Sequence, residues 1–446
     1  LPRNPLDADA AVGGSSSGSA VAVAAGLCYG SLGTDTAGSV SIPAATCGVV
    51  GLMPTRGLLP GDGVAPLAGE LDTVGLLARC ADDAQAVLHA ALDAAQAAAL
   101  DAAATPAMER WRIATCWIHP DPAVRLDPAV HAALEDYATE CSARGRRREA
   151  RLAALPQWIR LAQTLLYAGS AAAHAQALRG QAPALGALAR NLALAGAAMP
   201  PAWAHAALAQ RRAQVDAFVA EALADSDVLL TPALPGPVPD WSQVLTSSPG
   251  FEARRLLDLF CWLSFVNYLG LPAIVFPIGR DAAGRPISVQ AIARPGGEAM
   301  LLALARQAGH SRFGGRGFAQ QPGLPLPVPE SESDHAPTIR IAGTAALPRP
   351  GPVARAGRPD LCAHAGRFRR GRDPDRTAAG RRSQRGDVRR RPLERRFPEP
   401  EPQQAVADAQ PEKARRDGGA QAPGGRRRRG GGELAPGRES APGRGL

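Results

Sequence analysis

Two loops rich in serine and glycine carry the residues of this sequence best suited to chemistry. The first reads Gly13-Gly14-Ser15-Ser16-Ser17-Gly18-Ser19, and the second reads Gly33-Thr34-Asp35-Thr36-Ala37-Gly38-Ser39. Small residues let a ligand approach the main chain closely. Successive backbone N–H groups beside a serine are what an oxyanion hole requires. A serine hydroxyl is a poor nucleophile until a base takes its proton. Either loop alone is a weak signal, because a Gly/Ser run is most often a linker.

The elements that would position these loops can be read from the same stretch. Ser19–Ala25 is a helix of small residues that Gly26 suits as a stop. Tyr29–Thr34 fits a buried strand and Thr36–Ser39 a tight loop. Pro43 sits where a first helical turn tolerates proline, and Ala44–Val50 continues that helix. Asp82 and Asp83 open a long helix towards Leu100. Later, Asp227–Thr231, Ala273–Pro277 and Ile287–Ala293 read as strands, and Glu298–Ala308 as a closing helix. Residues 101–225 are Ala/Leu/Arg-rich with helical spacing, as in Leu152, Leu155, Trp158, Ile159, Leu161 and Leu165. Strands interspersed with helices predict an α/β sheet.

The spacing of the two loops is specific, and here the sequence resembles the amidase signature family of serine hydrolases. The family pattern runs Gly-Gly-Ser-Ser-(Ser/Gly)-Gly-Ser, then Gly-Thr-Asp-Thr-Gly-Gly-Ser, and Gly13–Gly57 follows it closely. The later pattern Leu-Asp-x-Val-Gly is matched from Leu71 to Arg79. The stretches Asp227–Pro235, Asn267–Gly279 and Gly284–Ala305 look like its C-terminal half, so the likeness covers about residues 1–310.

The resemblance implies a three-layer α/β/α sandwich around a mixed β-sheet, with the strands near the serine loops inside it. It implies hydrolysis of a C–N amide bond through an acyl-enzyme, with no metal or organic cofactor. The nucleophile maps to Ser39, and the bridging serine, which follows a cis peptide bond, to Ser15. The oxyanion donors map to the N–H groups of Thr36, Ala37, Gly38 and Ser39. Asp35 and Ser16 are implied as loop supports. Departures are Ala37 for a glycine, Ser41 for an arginine, Met53 for a lysine and Leu76 for a proline. The Arg-to-Ser change removes a cation near the nucleophile loop.

The third member of the implied triad is a lysine upstream of the first loop, but the chain begins 12 residues before Gly13 and its one lysine is Lys413. The chain is therefore read as an N-terminally truncated amidase, inactive as it stands. Alternatives are an A-type amidotransferase component that delivers ammonia to a partner, and a non-catalytic remnant with an anion-binding tail. The middle region 101–225 falls where the family varies, and its Trp111, Trp117, Trp158, Tyr167 and Trp203 either line a pocket or pack between helices.

The formal charge of +9 is uneven: residues 1–310 carry a net −4 and residues 311–446 a net +13. This excludes a basic nucleic-acid binder as the reading of the whole chain. The segment 311–446 reads as a disordered Arg/Pro/Gly-rich tail, or as out-of-frame translation. Its arginine runs Arg389–Arg391 and Arg426–Arg429 lack Trp or Tyr for base stacking, which argues against nucleic acid as partner. Seven dispersed cysteines with no C-x-x-C pair indicate neither a disulfide framework nor a zinc site. Cys47 reads as a small buried residue rather than a reactive thiol. No stretch is apolar enough for a membrane span. The expected partner is a small-molecule amide, with no membrane, a cytoplasmic location and homodimerisation left open.

Overall fold

The computed structural model describes residues 2–103, 110–143, 145–180, 185–315 and 317–320. Its strands in chain order are β1 (Gly30–Asp35), β2 (Val50–Met53), β3 (Thr73–Ala78), β4 (Arg112–Thr115), β5 (Arg146–Glu149), β6 (Val228–Pro232), β7 (Ala273–Arg280) and β8 (Pro286–Ala293). The helices are α1 (Ser17–Ala24), α2 (Ser41–Cys47), α3 (Ala81–Ala91), α4 (Ala94–Ala102), α5 (Pro128–Ser142), α6 (Leu155–Ala173), α7 (Ala175–Gly180), α8 (Ala187–Ala197), α9 (Pro201–Ala209), α10 (Arg211–Ala222), α11 (Trp241–Val244), α12 (Ala253–Asp258), α13 (Ser264–Leu269) and α14 (Glu298–Phe313).

All eight strands join one mixed sheet in the order β1-β3-β2-β7-β8-β6-β4-β5. The β4–β5 and β4–β6 pairs are parallel and the others antiparallel. Strand alternation divides the core. Along β7, Ile274 and Phe276 join Leu88 of α3, Leu134 and Tyr137 of α5 and Leu301 of α14 on one face. Ala273 and Val275 turn the other way, towards Trp158 of α6, Phe265 of α13 and Ile42 of α2. Both faces of β7 are covered by helices, and that gives the three-layer α/β/α sandwich.

Several elements differ from the sequence-based expectation. Helix α2 ends at Cys47, where Gly48 takes a left-handed conformation at φ 64°, and Val50 begins a strand rather than ending a helix. The helix from residue 82 breaks at Leu92 because Asp93 and Gln96 form a reciprocal capping box that starts α4. The middle region is not purely helical, since β4 and β5 both enter the sheet. Strand β5 reads Arg-Arg-Arg-Glu, a charged run typical of a blunted edge strand. Its Arg147 is held by Glu135 at 2.8 and 2.7 Å, and Arg148 donates to the carbonyls of Glu221 and Ala222 at the end of α10. Strand β1, beside the serine loops, is an edge of the sheet among the described residues rather than an interior strand.

Two parts of the expected tail belong to the folded body. Helix α14 continues to Phe313, and Phe318 is buried against it with ring centroids 5.4 Å apart. The rest of the expected disordered segment, residue 316 and residues 321–446, lies outside the described residues.

Trp158 is fully buried, with Phe218 at 5.5 Å in an edge-on arrangement and Phe265 stacked at 6.0 Å. It is a packing residue that joins α6, α10 and α13. Trp158→Ala is expected to cost about 3–5 kcal/mol, read as a lowered midpoint in urea unfolding followed by near-UV circular dichroism.

Candidate active site

Asp35 ends β1, with Thr73 of β3 opposite it, and the chain then turns sharply into α2. Its side chain is fully buried and fully engaged. Oδ1 accepts from the Gly38 N–H at 2.6 Å. Oδ2 accepts from the N–H groups of Val40 and Ser41 at 2.9 and 3.0 Å and from the Ser41 hydroxyl at 3.0 Å. The Asn267 amide of α13 donates to both the Asp35 carbonyl and Oδ1 at 3.0 Å. Next to it, the Thr36 hydroxyl donates to Asp72 at 2.7 Å, and Asp72 also accepts from the N–H groups of Leu67 and Ala68. The 36–40 loop is thus tied down from β1, α13 and the segment preceding β3.

The first loop lies against this one. Its Gly14–Ser15 peptide bond is cis. Gly13 sits at φ 71°, and a Cβ there would fall 2.4 Å from Ile42 Cγ2 of α2, so glycine is required on both counts. The Ser16 N–H donates to the Ser39 carbonyl at 3.1 Å, which sets the two loops in register. The Ser16 and Ser19 hydroxyls donate to the β1 carbonyls of Thr34 and Leu32 at 3.4 and 3.2 Å. The Ser17 hydroxyl donates to the Gly13 carbonyl at 2.6 Å. Of the serine hydroxyls in the two loops, those of Ser15 and Ser39 alone make no hydrogen bond among the described residues. Ser15 is exposed and Ser39 half-buried.

The sequence-derived site residues therefore occupy two touching loops, with two differences. The Gly38 N–H is consumed by Asp35 and is not an available oxyanion donor. The N–H groups of Thr36, Ala37 and Ser39 have no protein acceptor among the described residues. In addition, the Ser15 and Ser39 hydroxyls do not bond to each other here. Lys413 lies outside the described residues. Asp72 and Asn267 were missed as site supports, although both stand inside stretches that resemble the family. Their partners are 36 and 232 residues away, so local spacing carries no sign of the pairing.

The departures from the family pattern find local uses. Ser41 gives Asp35 a hydroxyl donor, and Met53 Sδ lies 3.1 Å from the Asn267 amide nitrogen. Cys47 is fully buried, and burial pushes its thiol up to about 12. Among the described residues, no group of three or more His, Cys, Asp or Glu is placed to hold a metal ion. One flank of the 36–40 loop is apolar: a Cβ on Gly38 would fall 3.5 Å from Leu263. The neighbouring Trp262 meets His119 edge-on at 5.0 Å. His119 Nδ1 accepts from the Asp121 N–H at 3.0 Å, so Nε2 carries the hydrogen that faces the Cys261 carbonyl at 3.3 Å.

Comparison with known proteins shows the family. A profile described as Amidase matches residues 1–302. The putative amidase AmiD of Mycobacterium tuberculosis is 31% identical over 327 residues, covering 70% of this chain and 65% of that protein. The chain thus spans about two thirds of the length of this curated relative. The A component of the mitochondrial glutamyl-tRNA(Gln) amidotransferase of Anopheles gambiae is 55% identical over 78 residues, 18% of this chain and 16% of that one. Among solved structures, one described as a crystal structure of amidase has TM-score 0.60 and 28% identity, covering 68% of this chain and 67% of its own. The 6-aminohexanoate cyclic dimer hydrolase complexed with substrate has TM-score 0.60 and 25% identity, covering 72% of both chains.

Two outcomes follow from the geometry. Asp35→Ala strands the N–H groups of Gly38, Val40 and Ser41, at about 1–3 kcal/mol for each buried donor left without an acceptor. It is expected to lower thermal stability and open the 36–40 loop to proteolysis, read by limited digestion and mass spectrometry. Burial lowers the pKa of His119 from its ordinary 6.5. The unfolded chain then binds a proton that folded His119 resists, so His119 favours the folded state fully above pH 6.5, and that contribution is lost as pH falls below it. His119→Gln is expected to flatten this part of the stability–pH profile in urea melts.

Proposed function

Because the chain belongs to the amidase family, we propose that its two-loop site hydrolyses a C–N amide bond through an acyl-enzyme on Ser39. One observation carries the reading: the hydroxyls of Ser16, Ser17 and Ser19 are committed to backbone carbonyls of β1 and of the first loop, and those of Ser15 and Ser39 have no partner among the described residues. In this mechanism Ser39 Oγ attacks the amide carbonyl carbon. Its proton leaves through Ser15 to a base and then to the departing amine nitrogen as the C–N bond breaks. Water attacks the ester and releases the acid, restoring the Ser39 hydroxyl. The developing oxyanion is held by the N–H groups of Thr36, Ala37 and Ser39, which have no protein acceptor among the described residues, in a loop that Asp35 fixes, so little reorganisation is needed. The partner is a small-molecule amide, and no organic cofactor or metal takes part.

The base is the lysine that the family resemblance implies. Residues 1–412 contain no lysine. The 446-residue chain is therefore proposed to turn amides over near background. A positioned general base contributes about 10²–10⁴ in rate, and groups that act as one unit fail together.

A second reading is favoured by the 55% local identity to the A component of an amidotransferase, which spans 78 residues. In that case the same chemistry would release ammonia for a partner.

The test compares the 446-residue chain with a fusion that adds an N-terminal amidase segment with its lysine, on simple aryl and aliphatic amides and on glutamine. The fusion is expected to exceed the chain alone by about 10²–10⁴ and to lose both turnover and fluorophosphonate labelling in Ser39→Ala. Labelling that survives Ser39→Ala overturns the nucleophile. Turnover by the chain alone at the fusion's level overturns the missing base. Glutamine cleavage that needs a second protein favours the amidotransferase reading.

A further inference from the structure

Arg56, between β2 and β3, and Arg211, the first residue of α10, converge on one carboxylate. Arg56 Nη2 donates to Glu70 Oε2 at 2.9 Å. Arg211 Nη1 donates to the same oxygen at 3.3 Å, and its Nη2 donates to the Glu70 carbonyl at 2.7 Å. Glu70 Oε1 accepts no hydrogen bond among the described residues, and the Glu70 side chain is 51% exposed. The Arg211 side chain is only 15% exposed. Its guanidinium lies 5.5 Å from the ring centroid of Tyr268, and its Nε is buried without a hydrogen-bond partner among the described residues.

Positive charge is left over at this point. Two guanidiniums share one carboxylate, and neither makes another ion pair among the described residues. Asp72, two residues beyond Glu70, is engaged by the Thr36 hydroxyl and the N–H groups of Leu67 and Ala68. Residues 150–215 contain no Asp or Glu, so α9 and the start of α10 bring no further acid. Helix α10 has neither an acid in its first turn nor a side-chain cap, and its positive end adds to the same sign. Burial and the Arg56 charge both hold the Arg211 pKa below its ordinary value. A largely buried guanidinium with an unused donor is costly until an anion meets it. The planar fork of arginine matches the two oxygens of a carboxylate, and one carboxylate would bring the cluster to neutrality.

The cluster adjoins two supports of the 36–40 loop. The Arg56 N–H donates to the Gly270 carbonyl, just beyond α13, at 3.3 Å, and Asn267 of α13 holds Asp35. Glu70 stands two residues before Asp72, which holds Thr36. We propose that Arg56 and Arg211 form a binding site for a ligand carboxylate, which takes donors that Glu70 leaves unused. That carboxylate is a free small acid or the acid group of an amide ligand. The site is independent of whether the serine loops are catalytic.

The test is isothermal titration calorimetry of the 446-residue chain with acetate, N-acetyl-4-aminobutyrate and inorganic phosphate, at an ionic strength held constant with sodium chloride. Saturable binding of acetate is expected. Arg211→Gln is expected to weaken it about tenfold or more, because a charge-assisted pair is lost. Arg56→Gln changes a more exposed side chain, should keep the circular dichroism of the wild type, and is expected to weaken binding as well. Glu70→Gln is expected to strengthen binding about threefold or more, because it removes the competing negative charge. An ion-pair network with a structural role alone would instead lose stability in all three variants and bind acetate in none. Absence of acetate binding by the wild type overturns the proposal, as does binding that both arginine variants leave unchanged. Phosphate bound more tightly than acetate overturns the assignment to a carboxylate. N-acetyl-4-aminobutyrate bound more tightly than acetate supports the site with an amide ligand, and equal affinities support it with a free acid.

Discussion

A buried aspartate has to find partners for its charge, and Asp35 finds them all in and around the loop it must shape. Its two oxygens take three N–H groups of that turn, a serine hydroxyl and the amide of Asn267. Charge-assisted bonds of this kind are stronger than neutral ones. A buried carboxylate without them would be costly. The consequence is mutual dependence. The 36–40 turn holds its shape because Asp35 is there, and Asp35 remains buried because the turn surrounds it. The sheet supplies the fixed end through β1, and α13 supplies the lid through Asn267.

The same logic governs the first loop. Three of its serines serve the edge strand β1 and their own turn, so the chain needs no other element at those carbonyls. The backbone bond from Ser16 to Ser39 then transmits the position of one loop to the other. Positioning is thus largely a main-chain matter. The hydroxyls suited to chemistry are the ones this scaffolding does not use. Asp35 also removes the Gly38 N–H from the donor set, so the bracing of the loop and the number of donors it can offer are in competition.

The strongly patterned parts of the sequence were the legible ones. The strands β6, β7 and β8 and helix α14 carry continuous apolar or clearly periodic runs, and their positions follow within a few residues. The short strands β4 and β5 did not show. Four residues give too little periodicity, and Arg146-Arg147-Arg148 reads as a solvated face until Glu135 and the end of α10 are brought beside it. The break at Asp93 was hidden because alanine-rich sequence continues as a helix by propensity alone, and a local capping box decides otherwise.

By itself, the sequence determined the family, the α/β class and the two serine loops, because glycine and serine at fixed short spacing are a local chemical fact. It also placed Asp35 next to the loop it braces, since that partnership spans only a few residues. Tertiary structure decided which groups are committed and which are free. The Ser16 and Thr36 hydroxyls are each taken by an acceptor, 18 and 36 residues away, whose approach depends on how the chain folds. The roles of Asp72 and Asn267 and the edge position of β1 among the described residues are of the same kind. They depend on distances between segments far apart along the chain, and burial and hydrogen bonding are properties of that arrangement rather than of residue types.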